Sequence, residues 1–245
     1  MAATPGSTTV VLVHGAFADA GSWVPVIERL QAAGVPVRAP GLPMRGLMSD
    51  SAYIASVISQ VPGPVLAVGH SYGGAVISNA ATEATNVVGL VLVSGFAPEE
   101  NEALSEVEGT SRDSALGPAL LQAQFPTGTG DETAVELYVD PEKFAAVFAA
   151  DLPEAQANAF GASQRPIAAS AFDEKSGPPA WKHLPTWSVV ATGDKAAGSD
   201  VLLSMAHRAN AELLTLEGSH LIMVSQPEPV TDVILRALES VGPSR

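Results

Sequence analysis

The chain has 245 residues, 47% of them apolar, with 26 acidic against 12 basic side chains, a formal net charge of −14 and no cysteine. That length holds one domain with a large core, or a domain carrying an inserted subdomain. The charge repels phosphate backbones and anionic membranes, which excludes nucleic-acid binding and favours neutral substrates; the missing cysteine excludes disulfides, thiol catalysis and cysteine-ligated metals.

Residues 1–9 carry no basic region, and the VVLV run that follows is too short for a signal sequence. No stretch approaches the roughly 18 apolar residues of a membrane span. A soluble, cytoplasmic protein is expected. The first half then alternates β-branched runs with helical patterns. Strands are predicted at 8–14, 35–40, 63–70 and 87–95. Apolar residues fill them throughout, as a parallel sheet covered on both faces requires. Between them, 22–34 puts Val26, Ile27, Leu30 and Ala33 on one helical face. The stretch 49–61 does the same with Tyr53, Ile54, Val57, Ile58 and Val61, with Ser49 or Asp50 as its cap. A third helix is predicted over 75–84.

Residues 97–186 break the rhythm. Clustered acids at 98–109 and a Gly/Thr loop at 126–133 precede helical patterns in PEKFAAVFAADL and PEAQANAFGAS. An insert this long is not a loop and is expected to form a helical cap, splitting the core into 1–96 and 187–245. The α/β alternation then resumes with strands at 187–194 and 211–218, a helix at 199–209 and a closing helix at 227–241.

Gly69-His70-Ser71-Tyr72-Gly73 fits the G-x-S-x-G pattern, where a strand runs in and a small-residue helix runs out. At such a junction the serine adopts a strained conformation that exposes its hydroxyl, and only small neighbours fit two positions away. Ser71 is therefore the candidate nucleophile. A serine needs a base and a group to orient that base. His220 follows the last predicted strand, and loops at the carboxyl ends of parallel strands share one edge, so His220 is the candidate base. His70 is assigned to packing and His207 to the surface; His14 ends the first strand and His183 lies near the end of the insert. Asp194, at the end of the preceding strand, is the candidate acid. Asp200 is its near rival, and Glu99 and Glu100 the outside ones. The order Ser, Asp, His is the hydrolase order. An oxyanion hole is expected from the backbone N–H of Tyr72 and that of Ala16, with Phe17 as second choice for the latter. Phe17, Trp23, Tyr72, Phe144 and Phe148 are candidates for lining an apolar pocket or for plain core. No histidine pair has metal-ligand spacing, so neither a metal nor another cofactor is expected.

Taken together these residues resemble the α/β-hydrolase superfamily over about 8–242. VVLVHGAFADAGSW, VGHSYGGAV and GSHLIMVSQPE resemble, more narrowly, the branch of plant methylesterases, hydroxynitrile lyases and their bacterial esterase relatives. The resemblance implies an α/β-hydrolase fold with a mostly parallel, six-stranded sheet. Lyases of that branch carry threonine after the first motif histidine and lysine after the catalytic one; here Gly15 and Leu221 stand there, as in its esterases. Gly41 departs from the aspartate common in relatives. The implied activity is cofactor-independent cleavage of a neutral carboxylic ester or lactone. A hydroxynitrile-lyase-like or perhydrolase-like enzyme, or a slow-turnover hydrolase-fold receptor, is the alternative.

Overall fold

Six short runs rich in β-branched and apolar residues meet in one sheet, its inner strands buried on both faces and its two edge strands partly exposed. The computed structural model describes residues 7–242, so the N-terminal residues 1–6 read for an export signal lie outside the described residues. The core strands are β1 (Thr9–Val13), β2 (Val37–Arg38), β3 (Val65–His70) and β4 (Val87–Val93), continued after the insert by two more. Within the insert come β5 (Leu120–Pro126), β6 (Thr133–Val139) and β7 (Ile167–Ala168); β8 (Thr186–Ala191) and β9 (Glu212–Leu216) complete the core. The large sheet has the order β2-β1-β3-β4-β8-β9, and every neighbouring pair in it is parallel. All residues of β1, β3 and β8 are buried. Each fully buried Val, Leu or Ile contributes about 1.5–3 kcal/mol.

The helices are α1 (Val24–Ala32), α2 (Leu47–Ser59), α3 (Tyr72–Ala80), α4 (Leu104–Glu108), α5 (Pro141–Phe148), α6 (Glu154–Ser163), α7 (Ser170–Asp173), α8 (Ser199–Arg208), α9 (Ile222–Ser225) and α10 (Pro227–Val241). Contacts pair α2 with α3 and α1 with α10. Strand order reverses at β1: β2 is added on one side of it and β3 on the other. The crevice outside the carboxyl ends of β1 and β3 is therefore the switch point where such sheets bind ligands. Among the described residues no helix is long and apolar enough to cross a membrane.

Three sequence expectations are corrected in detail. The insert is not helical throughout: β5, β6 and β7 form an antiparallel sheet beside α5 and α6. The alternation in LLQAQFP and TAVELYV is a strand signal, and the Gly/Thr loop is the hairpin turn between them. Next, α2 starts earlier than expected, at Leu47, so Asp50 is no cap but a buried residue of the first turn, while Tyr53 is 43% exposed. Finally, α1 is preceded by a 3-10 turn over Ala20–Trp23, capped by the Asp19 carboxylate on Gly21 N–H, and Ala33 lies exposed beyond its end.

Candidate active site

The site is built on four carboxyl ends of the large sheet. Ser71 joins β3 to α3 with φ 52° and ψ −124°, in the positive-φ region that side chains rarely adopt. The turn closes so tightly that a Cβ on Gly69 would stand 2.4 Å from Gly73 O, and one on Gly73 would stand 2.5 Å from Val13 O. Only glycine fits at either place. These contacts press the start of α3 against β1 and raise Ser71 at the sheet edge.

The register of β8 and β9 brings the other two groups together. Ala191 lies opposite Leu216, and the strands continue to touch through Thr192 N–H to Leu216 O and Gly193 N–H to Gly218 O. Asp194 and His220 follow directly. His220 Nδ1–H donates to Asp194 Oδ2 at 2.6 Å, and both side chains are buried. The other carboxylate oxygen, Asp194 Oδ1, accepts from Ala196 N–H at 2.9 Å and Ala197 N–H at 3.0 Å. The acid is thus held at both oxygens. Among the described residues, Ser71 Oγ forms no hydrogen bond to the imidazole of His220. His70, next to the serine, donates from Nε2–H to the backbone oxygen of His220 at 3.0 Å, and the two rings lie 4.6 Å apart. Ser71 and His220 are thus tied to one another through His70.

The loop of His220 is also latched to the insert. Ser219 Oγ–H and Leu221 N–H both donate to Phe148 O at 3.1 Å, and Ser219 also bonds the Asp151 carboxylate. The Phe148 ring stands edge-on to the imidazole at 4.8 Å and is stacked by Phe144.

Ala16, Phe17 and Tyr72 are buried, and their backbone N–H groups meet no acceptor among the described residues. Buried N–H groups are nearly always paired, so three without an acceptor beside Ser71 stand out. Phe17 has φ 59°. Its ring packs on Phe148 and on Phe172 of α7, which also meets Tyr72 at 6.2 Å. Phe172 borders a cavity of about 330 Å³ in the insert that is lined also by Leu116, Leu120 and Leu137. A cavity of about 500 Å³ between α4 and α8 shares no residue with Ser71, Asp194 or His220.

Two histidines have structural partners that sequence reasoning passed over. His14 accepts Leu42 N–H at Nε2 and donates from Nδ1–H to Gly15 O, both at 2.9 Å, stitching β1 to the loop 39–43. Burial lowers its pKa below the ordinary 6.5 and lowers that of His70 well below it. His183 and His207 are exposed. Of the rival acids, Glu99 pairs with Lys182 at 2.6 Å. Asp200 receives Ser111 Oγ–H and Arg112 N–H; burial works to raise its pKa, but those donors hold it at about 2. Glu100 is exposed. Trp23 is buried beside His70 rather than at a pocket wall, with ring centroids 6.4 Å apart.

Residues 10–233 match the profile of the Alpha/beta hydrolase family, and the chain belongs to that family. Solved structures of the same fold include two esterases and a methylketone synthase. Polyneuridine aldehyde esterase superposes with a TM-score of 0.78 at 19% identity, over 94% of this chain and 99% of that one. Tomato methylketone synthase I, solved with 2-tridecanone, gives 0.78 at 21% over 96% and 99%. A methylesterase from Arabidopsis gives 0.77 at 20% over 95% and 99%. No curated protein matches the chain significantly in sequence.

Proposed function

We propose that the protein is a cofactor-independent serine hydrolase that cleaves a neutral carboxylic ester or lactone through an acyl-enzyme. The observation that carries this reading is the buried His220–Asp194 pair, set at the sheet edge where Ser71 leaves β3 on a strained turn. Ser71 Oγ attacks the carbonyl carbon while His220 Nε2 takes its proton. The tetrahedral oxyanion is received by Tyr72 N–H and by Ala16 N–H, with Phe17 N–H beside it. Donors of this kind lower a barrier by about 3–4 kcal/mol each. His220 then returns the proton to the leaving alcohol, and water, activated by the same imidazole, releases the acid and restores Ser71. Asp194 stays ionised and stabilises the imidazolium. Hydrogen bonds of this sort are often open in free enzymes, so the Ser71–His220 bond is assigned to the substrate complex.

Residues 97–186 act as the cap over a core formed by 1–96 and 187–245, and the partner is a small neutral molecule rather than nucleic acid or membrane. A cysteine-free chain suits the reducing cytoplasm. Cyanohydrin cleavage is disfavoured. A side chain at position 15 would begin 2.6 Å from Ser71 Cβ, and the buried Leu221 offers no cation to a departing anion. The test is hydrolysis of aryl esters and lactones, with mandelonitrile alongside and a fluorophosphonate label on Ser71. Ser71→Ala should lose the label and at least about 10⁴-fold in kcat/KM. Ester turnover surviving in Ser71→Ala ends the proposal, and labelling without steady turnover points to a receptor instead.

A further inference from the structure

Bonded to the side chain of Tyr72, the residue after Ser71, is a buried acid that this hydrolytic scheme leaves unused. Asp50, in the first turn of α2, is 0% exposed and forms no ion pair among the described residues. Its Oδ2 accepts the hydroxyl of Tyr72 at 2.9 Å, and its Oδ1 takes a long bond of 3.4 Å from Arg45 N–H. Burial pushes this carboxyl above the usual carboxylate range, against the pull of the Tyr72 hydroxyl and, after it, of the Arg45 and Gly46 N–H groups at the start of α2. The phenol is driven far above its ordinary value by the same burial and by the carboxylate beside it, so it keeps its proton and donates.

A carboxylate inside a core is costly unless something needs it there. Packing between α2 and α3 does not need it, because an apolar pair would hold the helices without the desolvation penalty. A hydrogen bond differs from an apolar contact in being directional. It fixes the tip of the Tyr72 ring in position and depth, and Phe172 bounds the same ring at 61°. Tyr72 is also the first residue of α3, with its N–H unpaired beside Ser71. The anchor is itself anchored. Arg45 bonds Glu136 at 2.9 Å and covers the Phe125 ring, and Met48 N–H bonds Glu174 at 2.9 Å.

We propose that Asp50 is a positioning residue for the oxyanion hole: by holding the Tyr72 hydroxyl it sets the first turn of α3 and aims the Tyr72 N–H at the oxygen of the tetrahedral intermediate. This rests on the reading of Tyr72 N–H as an oxyanion donor. The test uses the full chain with Asp50→Asn, Tyr72→Phe and the double variant. Three quantities are read: kcat and KM for a p-nitrophenyl ester, each per fluorophosphonate-titrated site, and the inhibition constant of a trifluoromethyl ketone, whose serine adduct carries the oxyanion. Losing a donor outright costs about 10²–10³-fold; a misaimed one should lower kcat by about 10–100-fold. KM should stay within about twofold, the inhibition constant should rise by the same factor as kcat falls, and the double variant should be no worse than the more severe single. Tyr72→Phe keeps the ring and decides the matter if Asp50→Asn does not fold. The proposal is overturned if kcat per titrated site stays within about twofold of wild type while only melting temperature drops. It is equally overturned if kcat falls with no change in ketone inhibition, or if the two losses multiply. Turnover persisting in Ser71→Ala would instead overturn the hydrolytic reading itself.

Discussion

Replacing Asp194 by asparagine tests the catalytic assignment with almost no change of shape. The outcome follows from which end of the new amide faces which partner. Two backbone donors, Ala196 N–H and Ala197 N–H, converge on the position of Oδ1 at 2.9 and 3.0 Å. An amide carbonyl satisfies both, whereas an NH₂ there would oppose two donors. The carbonyl therefore takes that side, and the NH₂ is forced to the position of Oδ2, 2.6 Å from His220 Nδ1. The imidazole must then accept at Nδ1 and carry its proton on Nε2, the tautomer that cannot deprotonate Ser71. Asp194→Asn should lower kcat by about 10³–10⁴-fold, or about 4–5.5 kcal/mol of barrier. Ester hydrolysis measures the rate, and nitrogen-15 spectra of the imidazole report the tautomer. A variant within about tenfold of wild type, or one whose His220 keeps its proton on Nδ1, would refute the reasoning; so would a larger loss in Glu99→Gln.

Two other outcomes are expected. In Gly15→Ala the new Cβ would stand 2.6 Å from Ser71 Cβ and 2.8 Å from His70 Nδ1. Urea unfolding should show a loss of about 1–3 kcal/mol from overpacking, together with slower labelling by fluorophosphonate, and wild-type values for both would contradict the contact. His14 and His70 both have folded pKa values below 6.5, chiefly because burial disfavours the charged ring. The unfolded chain takes up protons first, so the stability these rings confer is complete above 6.5 and drains away as pH falls towards the folded values. Melting temperature should fall between about pH 7 and pH 5, less steeply in His70→Gln, and a flat profile would argue against neutral buried rings.

Unbroken apolar runs made the inner strands readable because each is buried on both faces, and α10 runs over the predicted 227–241 with Val230, Val233 and Ile234 buried. The family resemblance rested on short motifs whose glycines have no substitute at their contacts. Gly69 and Gly73 are explained by backbone atoms under 3 Å from where a Cβ would be. What stayed hidden was fixed by partners distant in sequence. Asp50 reads as a helix cap from its neighbours alone, and only its bond to Tyr72 reveals a buried acid. His14 looks idle until Leu42 N–H is brought to it. The hairpin of β5 and β6 escaped because its strands are short, half-exposed and alternate imperfectly, with adjacent apolar pairs at Leu120-Leu121 and Ala134-Val135.

The turn that ends α5 gives its Phe148 carbonyl to two donors flanking His220 and lays its ring against the imidazole. The insert is thus no interchangeable lid. A chimaera that traded residues 97–186 for those of a homologue would also remove the acceptor that holds the loop of His220. Transplants that retain Phe148 to Asp151 should preserve turnover where complete exchanges lose it.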